Sequence, residues 1–233
     1  MLPAAIAPLA RSRPCCGFLA TSRRTLIVAI DGPAASGKST TAKRVAYNLR
    51  FDYADSGLYN LLVPLGGLVL IRKGLLGWDF SDYSEHVALV AKNPQVRQVV
   101  LQWQRQYAQP TNGDDGTHRN ASAGKSRNLV VDGRDIGTVV FPNAELKVYL
   151  IAQAEIRAQR RHAELVALSA LKGRSAPSYR EVLDDLMARD QSDLHRVHSP
   201  LKRASDAVDL DTTKLTIDDQ VAQIVQWARQ RGA

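Results

Sequence analysis

The sequence predicts an α/β fold in which a five-stranded parallel sheet carries helices on both faces. Three observations lead there. An apolar run, Leu26-Ile27-Val28-Ala29-Ile30, leads directly into a glycine-rich loop and then a helical pattern. Four more strand candidates follow, a weak one near 51–53 and others at 129–131, 146–151 and 207–210. Helical patterns separate most of them, as the long crossovers between parallel strands require.

The loop after the first strand is Gly32-Pro33-Ala34-Ala35-Ser36-Gly37-Lys38-Ser39-Thr40. It satisfies the pattern G-x-x-x-x-G-K-S/T, in which backbone N–H groups cradle the phosphates of a nucleotide. Lys38 is placed to reach the β- and γ-phosphates, and the Ser39 hydroxyl to bind Mg²⁺. Residues 41–49 follow as a helix with Ala42, Val45, Ala46 and Leu49 on one face. Its N-terminus adds partial positive charge at the phosphates. The fold is thereby narrowed to the three-layer P-loop NTPase class.

Further along, Asn93-Pro94 is a helix start, with Asn as N-cap and Pro at the first position. The expected apolar face is Val96, Val99, Val100, Trp103 and Tyr107. Residues 109–128 lack periodicity, are rich in Gly, Asn, Ser and Asp, and read as a mobile loop. A later helix carries Tyr179, Val182, Leu183, Leu186 and Met187 on its expected buried stripe. The last helix starts at Thr216, with Asp219 three residues on as a near-capping box. Its stripe is Ile217, Val221, Ile224, Val225 and Ala228.

Composition sets limits on partners. The chain has 233 residues, 45% of them hydrophobic, enough for one α/β core. No apolar run reaches the ~20 residues a membrane-spanning helix needs; the longest candidate, 61–71, is interrupted by Pro64, Gly66 and Gly67. The formal net charge is +8, and residues 1–24 hold four arginines and no acid, leaving +4 for the remainder. That excess suits a polyanion such as a nucleoside triphosphate and does not require nucleic acid. The two cysteines, Cys15 and Cys16, are adjacent and provide no disulfide framework, which fits a reducing compartment. Residues 1–24 are read as a disordered extension or an early-assigned start. An organellar transit segment is the alternative reading of the same residues, whereas the first places the chain in the cytoplasm.

Three clusters carry candidate chemistry. Asp132, Arg134 and Asp135 follow an apolar strand, and ligands in open parallel sheets bind beyond strand carboxyl ends. Asp132 can orient Mg²⁺ directly or through water, Arg134 can fork onto a phosphate, and Asp135 can accept bonds from a base or sugar. A structural Asp–Arg pair is the other reading. Arg157, Arg160 and Arg161 share one helix and are either a solvated basic face or a lid over ATP. Arg189, Asp193 and Arg196 recur at helical spacing, as a surface ion-pair ladder or as groups that stabilise a transferring phosphoryl.

Together these residues resemble bacterial cytidylate kinases of the nucleoside monophosphate kinase class. The matching stretches are Ile30-Asp31-Gly32-Pro33 through Thr40, Asp55-Ser56-Gly57, and Asn93-Pro94-x-Val96-Arg97 with Gln104-Arg105. They continue with Asp132-Gly133-Arg134-Asp135-Ile136-Gly137-Thr138-Val139-Val140-Phe141-Pro142, Arg157-Ala158-x-Arg160-Arg161, and Arg189-Asp190-x-x-Asp193-x-x-Arg196 through Pro200-Leu201-Lys202. The resemblance implies phosphoryl transfer from ATP to CMP or dCMP with Mg²⁺, in a monomer. It implies that Arg134 and Arg196 hold the acceptor phosphate, that Asp135 contacts cytosine or ribose, and that Arg189 and Asp193 contact the sugar. Ser56 lies in the acceptor-site turn, and Arg157 and Arg161 belong to the ATP-side lid. The implied layout is a core at 25–60 and 129–155, a reduced monophosphate-binding part at 61–108, the loop 109–128, a lid at 156–190, and a core C-terminus at 191–233.

Three departures from the family pattern stand out. Asn60 occupies the place near which an acceptor-binding arginine is expected. A few dozen residues of the monophosphate-binding part are missing before Asn93, and with them the wall that reads the base. The loop 109–128 is longer than the family's connection, and Ser192 replaces an arginine common in the lid motif.

Overall fold

The computed structural model describes residues 25–57, 94–109 and 128–233. The N-terminal extension, Asn60, the run 61–71, the Asn93 cap and nearly all of loop 109–128 lie outside them.

Five strands form: β1 (Ile27–Asp31), β2 (Asp52–Asp55), β3 (Leu129–Gly133), β4 (Leu146–Ile151) and β5 (Val208–Asp211). They make one wholly parallel sheet in the order β2-β3-β1-β4-β5, with β1 at the centre. The expected five-stranded sheet is therefore present. The helices are α1 (Lys38–Leu49), α2 (Pro94–Tyr107), α3 (Ala154–Lys172), α4 (Tyr179–Leu194) and α5 (Ile217–Gln230).

The two sheet faces are covered by different segments. On one, Val28, Ile30, Val130, Val148 and Leu150 pack against Ala42 and Val45 of α1 and Val221, Ile224 and Ala228 of α5. On the other, Ala29, Ala54, Leu129 and Val131 meet Ile136, Val140, Phe141 and Ala144, with Leu101 of α2 alongside. Continuous burial along β1 and β3 explains their unbroken apolar sequences.

The structure departs from the expected pattern at several points. No α-helix joins β3 to β4; Ile136–Val140 forms a single π-helical turn instead. Its Ile-Gly-Thr-Val-Val composition carries no helical period. Helix α1 begins at Lys38, inside the phosphate loop. Met187 is exposed, because α4 packs chiefly along α3 and needs only a narrow stripe, Val182 and Leu186. Val99 is exposed on α2 while Val100 is buried.

Two glycines are required by close approach. Gly32 has φ 155°, and a Cβ there would lie 2.7 Å from the Leu150 carbonyl oxygen. A Cβ on Gly133 would lie 2.4 Å from Ser56 Oγ. Glycine thus lets the loop press on β4 and the turn after β2 press on β3.

Both late helices start with a full capping box. Ser178 Oγ accepts from Glu181 N, and Thr216 Oγ1 from Asp219 N, with each acid returning to its cap. Ser178→Ala and Thr216→Ala should each lower unfolding stability by about 1 kcal/mol in urea titrations. An unmoved midpoint for either would mean that tertiary packing alone sets that helix start.

Candidate functional site

The strand register gathers carboxylates at one end of the sheet. Asp55 pairs with Asp132 across β2 and β3, and Asp31 with Gly133 across β1 and β3. A cleft of about 670 Å³ opens beyond these ends.

On its donor side stands the phosphate loop. Ser36 Oγ donates to Pro33 O at 3.0 Å, and buried Lys38 donates from Nζ to the same oxygen at 2.6 Å. Ala34, Ala35, Lys38 and Ser39 line the cleft. Gly32, Pro33, Ser36 and Gly37 form the loop behind them, and Thr40 faces solvent from α1. Burial pushes the Lys38 ammonium well below its ordinary range; Arg134 adds to this, and Asp132, Asp31 and Asp193 oppose it. An incoming polyphosphate would restore the charged form.

Ser39 and Asp132 are in contact: Ser39 Oγ donates to Asp132 Oδ2 at 2.7 Å, and Tyr53 Oη to Oδ1 at 2.8 Å. Burial raises the Asp132 pKa, and neighbouring Asp55 raises it further. Paired carboxylates beside a serine hydroxyl are a hard-oxygen donor set that suits Mg²⁺. Among the described residues no cluster of three or more His, Cys, Asp or Glu could hold a metal unaided. That is compatible with Mg²⁺, which takes one or two protein ligands and completes its shell with phosphate and water.

The opposite side is cationic. Asp193 is buried and accepts from Arg134 Nε at 2.6 Å; it also pairs with Arg196. Arg189 lines the cleft beside them. Desolvation within the cleft, then Arg134, holds the Arg189 guanidinium below the usual arginine range although the residue keeps solvent contact. Arg134 and Arg196 thus meet on one buried carboxylate, with Arg189 beside them and Asp185 and Glu164 also on the cleft wall. Ser56, buried at the turn after β2, and Asp135 line the same cleft, and Asp135 pairs with Arg97.

The arginines of α3 part ways. Arg157 is buried and donates to Ala34 O at 3.0 Å, Ala152 O at 3.0 Å and Asp190 at 2.5 Å. Arg160 donates to Thr212 O at 2.7 Å, beyond β5. Arg161 lines the cleft and pairs with Glu164 at 3.2 Å.

Sequence reasoning gave no role to Arg97, Tyr53, Asp31 or Asp190. Arg97 and Asp190 lay inside quoted motifs, but no spacing rule reports a partner 38 or 156 residues away. Asp31 follows an apolar strand directly, which is the one local signal available.

Strand, phosphate loop and helix, with Lys38 folded over the loop and Ser39 against a strand-end carboxylate, define a P-loop kinase fold. A solved structure of an uncharacterized protein from Eubacterium ventriosum shares the fold, with TM-score 0.52 at 11% identity over 88% of this chain and 99% of that one. The cytidylate kinase family model matches residues 28–64 and 80–230, and the chain belongs to that family. It is similar to the cytidylate kinase of Pelodictyon phaeoclathratiforme, 38% identical over 231 residues, covering 91% of this chain and 98% of the relative. The cytidylate kinase of Chlorobaculum tepidum is 39% identical over 222 residues, with 85% and 91% covered. That of Listeria innocua is 34% identical over 240 residues, with 89% and 98% covered. No described helix is long and apolar enough to cross a membrane.

Asp31 offers a pH test. Burial lifts its carboxyl from 3.8 to about 6 and Asp135 adds to the rise, while N–H bonds from Gly137 and Ile136 and the Lys38 charge pull it back. The folded state therefore holds this proton more tightly than the unfolded chain does. The resulting stability is present below about pH 4 and is lost as pH rises through about 6, a change of ~3 kcal/mol. Urea unfolding across that window should show the wild-type advantage over Asp31→Asn shrinking as pH rises. A constant difference would contradict the shift.

Proposed function

We propose that this chain transfers the γ-phosphoryl group of ATP to CMP or dCMP, yielding ADP and CDP or dCDP, and that it does so in the cytoplasm as a monomer. One observation carries the reading: Lys38 and Ser39 of the phosphate loop face the Arg134–Asp193–Arg196 group across a single cleft. Membership of the cytidylate kinase family supports the acceptor's identity.

In this reading the loop amides and Lys38 hold the β- and γ-phosphates of ATP. Arg134, Arg189 and Arg196 neutralise the acceptor phosphate, so that its oxygen can approach the γ-phosphorus. That P–O bond forms as the bond to the β-phosphate oxygen breaks, and ADP departs. Ser39 and Asp132 would hold Mg²⁺, directly or through water, which when bound neutralises phosphate charge. Asp135 and Ser56 orient the acceptor's base and sugar, with Asp193 fixing the arginines and facing the sugar, and Arg161 approaches the donor side from α3. Positioning and charge neutralisation suffice for such a transfer, and no covalent intermediate is required.

Lys38→Ala should reduce ADP formation by on the order of 10²–10³-fold while circular dichroism stays unchanged. A variant that keeps its full rate would show that the loop is not the catalytic centre.

In this reading residues 61–108 are a reduced monophosphate-binding part. The family model leaves residues 65–79 unmatched. The match to the Listeria innocua relative spans 240 positions, more than the 233 residues of this chain, so it contains gaps. A reduced part of this kind favours weak acceptor saturation and keeps a second reading in view, a nucleotide-binding protein that has lost its acceptor. A coupled ADP-release assay with CMP, dCMP and UMP separates them. Turnover of CMP or dCMP with acceptor KM well above ATP KM is expected. ATP binding without transfer to any of the three would establish the second reading.

A further inference from the structure

We propose that Asp190 is a positioning residue for the phosphate loop, acting with Arg157 to hold both the N–H and the C=O of Ala34. Asp190 Oδ1 accepts from Ala34 N at 3.1 Å, and Oδ2 accepts from Arg157 Nη1 at 2.5 Å. The same Nη1 donates to Ala34 O at 3.0 Å. Arg157 Nε donates to Ala152 O at 3.0 Å, just beyond β4. The backbone donor and acceptor of one residue, Ala34, are thus held by one ion pair, whose members come from α3 and α4.

The clamp sits where the loop needs it. Ala35, the next residue, has φ 53°, a left-handed conformation that a residue with a Cβ adopts only under restraint. Both side chains are largely removed from solvent, at 7% exposure for Arg157 and 15% for Asp190, so their attraction is little screened. A charged pair holding a strained peptide keeps the neighbouring amides converging on the phosphates before nucleotide arrives. That lowers the ordering cost of binding. Arg157 is accordingly a loop-holding group rather than a ligand of ATP.

The inference rests on residues 32–40 being the ATP loop, and the experiment separates the two. A fluorescent ATP analogue with Mg²⁺ is titrated into the full chain, and CMP binding is measured by calorimetry. Wild type, Asp190→Asn, Asp190→Ala, Arg157→Ala and the double alanine variant are compared. Both single alanine variants should bind the ATP analogue about tenfold or more weakly, with CMP affinity within about twofold of wild type. Asp190→Asn keeps an oxygen for Ala34 N–H and should fall between. The double variant should be no weaker than the weaker single one, since the pair acts as a unit.

ATP binding by Asp190→Ala within about twofold of wild type would overturn the proposal. So would parallel loss of ATP and CMP affinity with a collapsed melting temperature, the mark of a merely structural role. If Asp190→Ala does not fold, ATP affinity within about twofold of wild type in both Asp190→Asn and Arg157→Ala overturns it equally. A wild-type chain that binds no ATP analogue would defeat the loop assignment itself, and the clamp's role with it.

Discussion

The carboxylate of Asp31 is the constraint on which the rest of the site depends. It ends the central strand and is buried. Oδ1 accepts from Ile136 N at 2.9 Å, and Oδ2 from Gly137 N at 2.7 Å. Those two amides open the π-helical turn after β3, where no strand partner exists to satisfy them. An unsatisfied buried amide costs about 1–3 kcal/mol, so the turn's position is tied to the end of β1. Arg134 and Asp135 lie just before that turn and are placed by it, while Asp132 is held within β3 by its pairing with β1 and β2. The cost is a desolvated carboxylate, which is why its pKa rises although two N–H bonds favour the ionised form.

Around that anchor the charges are distributed unevenly. Asp55 and Asp132 stand side by side at adjacent strand ends, where each raises the cost of the other's charge. Arg134 and Arg196 share one buried carboxylate, and Arg189 lines the cleft beside them. Neither arrangement is a stable end in itself, since like charges at such separations repel most strongly where solvent is scarce. A bound nucleotide pair with its divalent ion would satisfy both at once. The site reads as half of an electrostatic complex, with groups held in place by hydrogen bonds that compensate part of the repulsion.

Much of this was legible from residue order. Parallel strands buried on both faces leave continuous apolar runs, so β1, β3 and β4 were plain. Strand β2 was faint because Asp52-Tyr53-Ala54-Asp55 is an edge strand with only Ala54 buried. The phosphate loop was legible because its glycines and Lys-Ser pair are demanded locally. Partner choice among arginines was not. Arg157 and Arg161 share a helix, a residue type and a spacing of four, yet one is buried against the loop and the other lies at the surface. What distinguishes them is the approach of Asp190 from another helix, and a guanidinium on a long, flexible stem can serve either end. The exposed Met187 follows the same rule in reverse: an amphipathic pattern marks which residues can be covered, and the neighbours decide which are.

Helix α4 shows how little sequence separates the two walls of the cleft. Arg189 and Asp193 are four residues apart and share a helix face, and both line the cleft. Asp190 is one residue on from Arg189, about 100° around the helix, and its carboxylate reaches the donor loop at Ala34. One rigid element therefore meets both halves of the site through adjacent residues. Any rotation of α4 that improved the geometry at Arg189 would move Asp190 relative to Ala34. The capping box at Ser178 and the packing of Val182 and Leu186 oppose such rotation. The geometry at Ala34 and at the Arg134–Asp193 pair is consequently set by the backbone of a single helix.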